Sequence, residues 1–147
     1  MSELHPGAGQ LEIMSDAECI QFLRTHDLGR IALVDRERHP LIFPVNYFFD
    51  EGAVVFRTGP GTKLDLAPGA YVSFEIDGWD QATGIGWSVL VQGIARDISE
   101  PRGSNTARMR FWPVQPAAPG SREHWIAIWV NAITGRRFRP ETPQPGT

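Results

Sequence analysis

Between Arg30 and Phe138 the chain repeats one pattern, in which apolar stretches of strand length are each followed by a short run of turn-forming residues. The clearest stretch, YVSFEID at 71–77, alternates apolar and polar residues. Strict alternation is typical of a β-strand with one buried face, so we predict that Val72, Phe74 and Ile76 point into a core. Similar stretches lie at 30–35, 41–49, 54–59 and 87–98, and a last strand lies within 124–138.

The links between these stretches are mostly short, and DEGA at 50–53 is a hairpin signal. Hairpin links join antiparallel neighbours. A six-stranded sheet of this length avoids open edges most simply by closing on itself. We therefore predict a mainly β fold with minor α content, a six-stranded antiparallel β-barrel with an N-terminal helix and short connecting helices.

The N-terminal helix is predicted from its cap. Ser15 is followed three residues later by Glu18, which is a capping box. The helix is expected from Asp16 to His26, with Gly29 as its stop signal. A shorter helix is expected at 62–67, where Thr62 is a candidate cap and a Pro-Gly pair follows.

The remaining segments set the domain boundaries. Residues 1–12 are predicted to be a flexible arm, 13–139 a single domain, and the proline-rich 140–147 a disordered tail. A weak second helix is expected within 100–111. Gly93, inside the long strand at 87–98, marks a bulge or a bend.

Composition narrows the class of protein. The chain has 147 residues, a net charge of −3 and an isoelectric point near 5.8, so no basic surface predicts a nucleic-acid partner. No apolar run is long enough to span a membrane, and residues 1–12 do not resemble a signal peptide, so a cytoplasmic protein is expected. Cys19 is the single cysteine, and the four histidines have no metal-ligand spacing, so no metal site is predicted.

The segment FRTGPGTKL at 56–64 is the strongest candidate for a ligand site. It combines cations with hydroxyls and with glycines that let a ligand approach the backbone, a set suited to a phosphate. The residues are Arg57, Thr58, Thr62 and Lys63. The alternative is a surface turn whose cations are solvated.

Three other features each have both a functional and a structural interpretation. Pro44 interrupts the strand FPVNYFF at 43–49, so its unpaired backbone groups and the amide of Asn46 can bond a planar ring; alternatively this is a core strand. The chain also has five tryptophans, which suit a stacking wall or, equally, core and dimer contacts. They are Trp79, Trp87, Trp112, Trp125 and Trp129. The basic segment TGRR at 134–137 could bind an anionic substrate; alternatively it is a solvated strand end.

In this order the segments resemble one family. LGRIALVD, PVNYFFDEGAVVFRTGPGTKL, VSFEID, WSVLVQGIARDI and ITGRRF are similar to the pyridoxamine 5'-phosphate oxidase-like, FMN-binding split-barrel proteins. The similarity covers about 12–139, and is strongest to the branch that includes nitroimidazole-resistance flavoproteins. It implies a split β-barrel, a homodimer and one FMN at each of two sites across the dimer interface.

The resemblance also implies residue roles. The strand that lines the flavin ring matches Pro44, Val45, Asn46 and Tyr47, and Tyr47 is a candidate proton donor. The phosphate contacts match Arg57, Thr58, Thr62 and Lys63, and the later strand contributes Trp87 and Ser88. The implied activity is that of a flavin-dependent oxidoreductase, moving hydride between a reduced nicotinamide or similar donor and a small-molecule acceptor.

The C-terminal strand departs from the pattern of the true oxidase. Its residues do not reproduce the pyridoxal phosphate contacts, so vitamin B6 oxidation is not expected. Trp125, Trp129 and Arg137 remain candidate substrate contacts. Because other members bind a deazaflavin coenzyme or haem, the alternatives are a deazaflavin-dependent reductase and a non-catalytic flavin- or haem-binding dimer.

Overall fold

The computed structural model describes residues 9–99 and 124–141. It contains eight strands and two helices within these ranges. The elements are β1 Gln10–Met14, α1 Asp16–Thr25, β2 Leu28–Val34, β3 Pro40–Asp50, β4 Ala53–Thr58, α2 Thr62–Leu66, β5 Tyr71–Trp79, β6 Gly86–Asp97, β7 His124–Trp129 and β8 Ala132–Arg139. None of the described helices is long and apolar enough to cross a membrane.

Six of the strands close into the predicted antiparallel barrel. The pairing runs β2–β3–β4–β7–β6–β5 and returns to β2. β8 pairs with β6 outside this ring, and β1 pairs with β8. The barrel with its two helices confirms the predicted fold class.

The long strand β6 pairs with β5 along one edge, and its other edge is divided between two partners, with Gly93 marking the change. Residues 86–92 pair with β8, whereas 95–97 pair with β7. The β7–β8 corner crosses β6 here, where the Asn131 N–H donates to the Gln92 carbonyl at 2.9 Å. A Cβ on Gly93 would stand 1.8 Å from the Trp129 carbonyl oxygen, so only glycine permits this crossing.

The core follows the alternation seen in the sequence. Val72, Phe74 and Ile76 of β5 are each at most 2% exposed, as predicted. α1 covers one end of the barrel through Cys19 and Leu23, both fully buried. Ser15 caps α1, since its Oγ accepts from the Glu18 N–H at 3.2 Å.

Three boundaries differ from the sequence prediction. The expected arm was too long, because Gln10–Met14 forms β1. Gly29 does not stop α1; it lies within β2, where a Cβ would collide with the Phe74 ring. α1 instead ends at Thr25, whose hydroxyl donates to the Gln21 carbonyl at 2.9 Å. The expected last strand is two strands, β7 and β8.

Some predictions fall outside the described residues. These are the arm at 1–8, the helix at 100–111, Trp112 and the tail at 142–147.

Candidate functional site

The turn from β4 to α2 has open space above its backbone. An added Cβ would meet nothing within 4 Å at Gly59 or at Gly61. Gly61 has φ +148°, which other residues rarely adopt. The predicted turn is therefore a glycine-dependent loop with an accessible main chain.

Two cations flank this turn. The Lys63 ammonium lies 4.9 Å from the centroid of the Phe43 ring, and no carboxylate of the described residues pairs with it. Lys63 is the only lysine in the sequence. The Arg57 guanidinium carbon lies 5.3 Å from the centroid of the Trp125 ring. Both side chains thus rest on aromatic faces beside the turn.

The neighbouring strand β3 presents polar and cyclic side chains on its outer face. Pro44 and Asn46 are exposed, whereas Val45 and Tyr47 are buried in the core. Tyr47 pairs with Phe56 of β4, so continuing this register by one residue places Asn46 beside Arg57. Asn46, Arg57 and Trp125 therefore share one outer surface across β3, β4 and β7.

The structure corrects the expectation that Tyr47 is a proton donor to a ligand. Its side chain is 1% exposed, and its hydroxyl donates to the Leu23 carbonyl of α1 at 2.8 Å. Its backbone N–H donates to the Asp27 carbonyl at 2.9 Å. Burial, together with the charge of Asp27, raises the pKa of the phenol well above its ordinary value. Tyr47 therefore anchors α1 to the barrel.

The two threonines of the turn have separate environments. The Thr58 hydroxyl, in a residue 6% exposed, donates to the Gly59 carbonyl at 3.2 Å. Thr62 does not cap α2, because Gly61 occupies the cap position and makes no side-chain bond. Thr62 instead lines a cleft with residues from the β2–β3 turn and α2, namely Asp35, Arg36, Glu37, Asp65 and Leu66.

Trp87 and Ser88 lie on opposite faces of β6. The Trp87 ring packs against α1, 4.3 Å from the Phe22 ring centroid and 4.7 Å from that of His26. Ser88 lies on the outer face, between Asp77 of β5 and Arg136 of β8. The contacts of Trp87 are thus with α1 rather than with the β4–α2 turn.

The predicted substrate contacts do not form one group. Arg137 bonds the Glu18 carboxylate at 2.9 Å and lies 3.5 Å from that of Glu12, so it ties β8 to α1 and β1. In this structure its guanidinium therefore already pairs with two carboxylates. Trp125 lies beside Arg57 at the outer surface, and Trp129 is 41% exposed at the far end of β7.

A network that sequence reasoning missed joins the ends of β6 and β7. His124 Nδ1 lies 3.0 Å from Asp97 Oδ2, and the Ser99 N–H donates to Asp97 Oδ1 at 2.9 Å. The Ser99 hydroxyl also bonds Asp97, and it accepts from the Trp125 N–H at 2.8 Å. A histidine and an aspartate 27 positions apart have no motif spacing, so only their strand pairing reveals the contact.

The barrel and its turn together define a class: small split-barrel proteins with a cationic, glycine-containing turn on the outer surface. Within that class the chain belongs to the pyridoxamine 5'-phosphate oxidase family, whose sequence profile matches residues 15–137. The resemblance inferred from the sequence is confirmed.

Individual relatives agree with this assignment. The uncharacterized protein Rv0080 of Mycobacterium tuberculosis is 34% identical over 134 residues, which cover 87% of this chain and 86% of that protein. A protein of Mycobacterium smegmatis described as FAD-binding is 35% identical, with a TM-score of 0.76 over 88% of this chain and 100% of its own. A candidate 5-nitroimidazole antibiotic resistance protein of Bacteroides thetaiotaomicron shares the fold, with a TM-score of 0.69 over 88% of each chain at 16% identity.

Proposed function

We propose that this protein binds a flavin, FMN, on the outer surface formed by β3, β4 and the β4–α2 turn. In this proposal Arg57, Thr58, Thr62 and Lys63 hold the phosphate, while Pro44 and Asn46 line the ring. The observation that carries the proposal is the open main chain at Gly59 and Gly61 between two cations. The family membership and the FAD-binding relative support a flavin as the ligand.

The residues present fit a phosphorylated, planar ligand. Lys63 has no carboxylate partner within the described residues, so its charge is available for an anion. The first N–H groups of α2 lack partners within the helix and begin at the same turn. Asn46 offers both a donor and an acceptor to the edge of a ring.

The proposed activity is that of a flavin-dependent oxidoreductase. The bound flavin would supply hydride chemistry between a reduced nicotinamide or similar donor and a small-molecule acceptor. The protein would bind the phosphate, orient the ring through β3 and offer Trp125 as an apolar wall. The Tyr47 hydroxyl is not a proton donor in this proposal, because it is bonded within the core.

We further propose that the chain is a homodimer that associates through the outer face of β2, β3, β5 and β6. Exposed apolar side chains lie across this face, namely Val34, Ile42, Tyr71, Leu90 and Ile94. Its polar side chains already pair with each other. Arg30 bonds Glu75 at 2.7 Å and Asp77 at 2.8 Å, and Gln92 bonds Ser73 at 3.3 Å. Paired polar groups are cheap to bury, which favours a protein interface.

The binding proposal is tested by titrating the protein with FMN and following flavin fluorescence. Replacing Arg57 or Lys63 by alanine should weaken binding by about 1.5–3 kcal/mol each, roughly tenfold to a hundredfold. Arg24→Ala is the matched control, because it removes one exposed cation from α1. Unchanged affinity in the Arg57→Ala/Lys63→Ala double variant would contradict the phosphate assignment.

FAD is the second candidate, favoured by the FAD-binding relative at 35% identity. The cleft beside Thr62 adjoins the proposed phosphate position and offers Arg36 and several carboxylates to an adenosine moiety. Titration with FMN and FAD in parallel, with mass analysis of the flavin that copurifies, distinguishes the two. If FAD binds more tightly than FMN, and a larger side chain introduced into the cleft removes that difference, the ligand is FAD rather than FMN.

The deazaflavin alternative and the non-catalytic carrier are tested in the same assay. A deazaflavin coenzyme has a long acidic tail, which needs a basic groove. The chain carries a net charge of −3, and Asp35, Glu37 and Asp65 line the cleft next to the turn. We therefore expect weaker binding of the deazaflavin than of FMN, and a flavin that binds without turning over would indicate a carrier.

A further inference from the structure

The outer face of the sheet β1–β8–β6–β5–β2 has β6 at its centre. Along its first part, β6 has two strands on each side, β8 and β1 on one and β5 and β2 on the other. The pairings place side chains in rows straight across this face. One row consists of Ile13, Arg136, Ser88 and Asp77, on β1, β8, β6 and β5. Each position on the β8 side therefore has a matching position on the β5 side.

The two sides of β6 differ in charge. The β8 side presents Arg136, which is exposed and has no carboxylate partner within the described residues. The β5 side presents Glu75 and Asp77, whose carboxylates share one partner, Arg30, at 2.7 and 2.8 Å. Two carboxylates on one guanidinium leave one negative charge unbalanced. Ser88 separates Asp77 from Arg136 by two strand spacings, about 10 Å between backbones, so the face has a cationic side and an anionic side.

Large apolar side chains occupy matching positions in the next row. Phe138 lies on β8 and Trp79 on β5, with Gly86 of β6 between them. Trp79 is 65% exposed and Phe138 is partly exposed. The Trp79 ring lies against the Gly86 backbone, since an added Cβ there would stand 2.8 Å from it. Exposed aromatic side chains on a surface with unbalanced charges are typical of a protein interface.

We propose that a second copy of this chain docks on this face with the twofold axis along β6, so that β8 of each copy faces β5 of the other. Such an axis exchanges the two sides of β6. Arg136 then meets the partner's Asp77, and Phe138 meets the partner's Trp79, with each contact made twice. Sheets that pack face to face align their strands to within about 30°, which permits this stacking. The inference rests on the proposed homodimer, because it fixes how the two copies align and extends their contact to β8.

The charges favour this axis over the other one that lies in the plane of the face. An axis running across the strands at Leu90 would bring each strand onto its own counterpart. Arg136 would then face the partner's Ala132, and Asp77 would face the partner's Ser73. Both charges would be covered without an opposite charge, which is costly. Only the axis along β6 pairs them.

Charge reversal tests the pairing, with sedimentation velocity over a range of concentrations as the measurement. Arg136→Glu sets like charges against each other twice in each dimer, so the dissociation constant should rise at least about tenfold. Adding Asp77→Lys restores opposite charges and should recover most of the loss, and Arg30 keeps Glu75 as its partner in this double variant. The matched control is Arg24→Glu, which makes the same change of charge on the exposed surface of α1.

Cross-linking tests the axis itself. With the axis along β6, Leu90 lies opposite the partner's Leu90, at about the 10 Å spacing of packed sheets. Leu90→Cys should therefore cross-link to its counterpart with a short bismaleimide. Ile42→Cys is the control, because β3 lies three strands away from β6 and its counterpart is beyond the reach of the reagent. Cys19 is fully buried, so it does not react in either variant.

The outcomes separate this inference from the proposed homodimer. A wild type that sediments as a monomer contradicts the homodimer, and the inference falls with it. A wild-type dimer whose association Arg136→Glu leaves unchanged keeps the homodimer but overturns the axis. The axis is also overturned if Asp77→Lys recovers nothing, or if Ile42→Cys cross-links and Leu90→Cys does not.

Discussion

At the scale of single residues, Tyr47 shows how one side chain links two elements. It lies in β3, and its hydroxyl reaches the Leu23 carbonyl in the last turn of α1. Its ring meets the Phe74 ring edge-on, with the centroids 4.8 Å apart. Tyr47 thus combines core packing with a buried hydrogen bond, and both contributions can be separated by substitution.

Replacing Tyr47 by phenylalanine should lower the free energy of unfolding by about 1–2 kcal/mol, because the buried Leu23 carbonyl loses its donor. Urea denaturation measures this change. Tyr71→Phe is the control, since its hydroxyl accepts an exposed bond from Asn131 and should cost under about 0.5 kcal/mol. Flavin affinity should remain unchanged in Tyr47→Phe, and a large loss would restore Tyr47 to the site.

Tyr47 also predicts a loss of stability in alkali. Burial raises the pKa of its phenol above that of tyrosine in an unfolded chain, about 10. The neutral phenol is therefore favoured in the folded state, and the stability it contributes is complete below about pH 10 and is lost as the pH rises further. Urea midpoints from pH 8 upward should fall more steeply for the wild type than for Tyr47→Phe. Parallel curves would show that Tyr47 does not titrate with unfolding.

At the scale of elements, the crossing at β6 holds the barrel and its extension together. One edge of β6 pairs with β8 along its first part and with β7 along its last part. The β7–β8 corner passes over Gly93. No side chain fits between the two backbones at this point.

Gly93→Ala should therefore destabilise the fold by at least about 2 kcal/mol, because backbone atoms rather than a flexible side chain must move. The control is Gly59→Ala, where an added Cβ meets nothing within 4 Å, and little change is expected. Thermal or urea unfolding of both variants makes the comparison. Equal free energies of unfolding for the two variants would mean that the backbone of the β7–β8 corner can move to accommodate the added Cβ at little cost.

The sequence predicts individual strands and helices better than it predicts which segments pair with each other. Alternation in 71–77 and the capping box at Ser15 are local patterns, and both yielded the observed strand and helix. β1 was missed because LEIM is short and gains its stability from β8, more than 120 residues further on. For the same reason the sequence does not show that Arg137 pairs with Glu12 and Glu18, which come from distant segments.

In the candidate site, too, the local motif is predictable from the sequence, whereas contacts between distant segments are not. The glycine turn, with Arg57 and Lys63, is visible as a local motif and is exposed as expected. The strand pattern does not show that the Tyr47 hydroxyl would donate a hydrogen bond to a carbonyl of α1. Nor does it show that Asp97 and His124 would meet, because β6 and β7 pair across a long connection.

At the scale of the whole molecule, one face of the sheet is unusually apolar for a surface. Ile42 is 67% exposed and Ile94 is 40% exposed, and they lie on the same outer face of the barrel. Ile94 is opposite Tyr71, which is 55% exposed. Asn46 and Pro44 border this face on β3, so association through it would also enclose the proposed flavin position.

Ile94→Glu should convert the proposed dimer into a monomer. An unpaired carboxylate buried in the interface costs about 3 kcal/mol or more, which weakens association by roughly a hundredfold or more. Gln21→Glu is the control, because it adds the same charge on the exposed face of α1. Sedimentation velocity at micromolar concentration measures the assembly, and flavin titration of the same samples tests whether the site depends on it. A dimeric Ile94→Glu would place the interface elsewhere, and a monomeric wild type would contradict a flavin site shared between two chains.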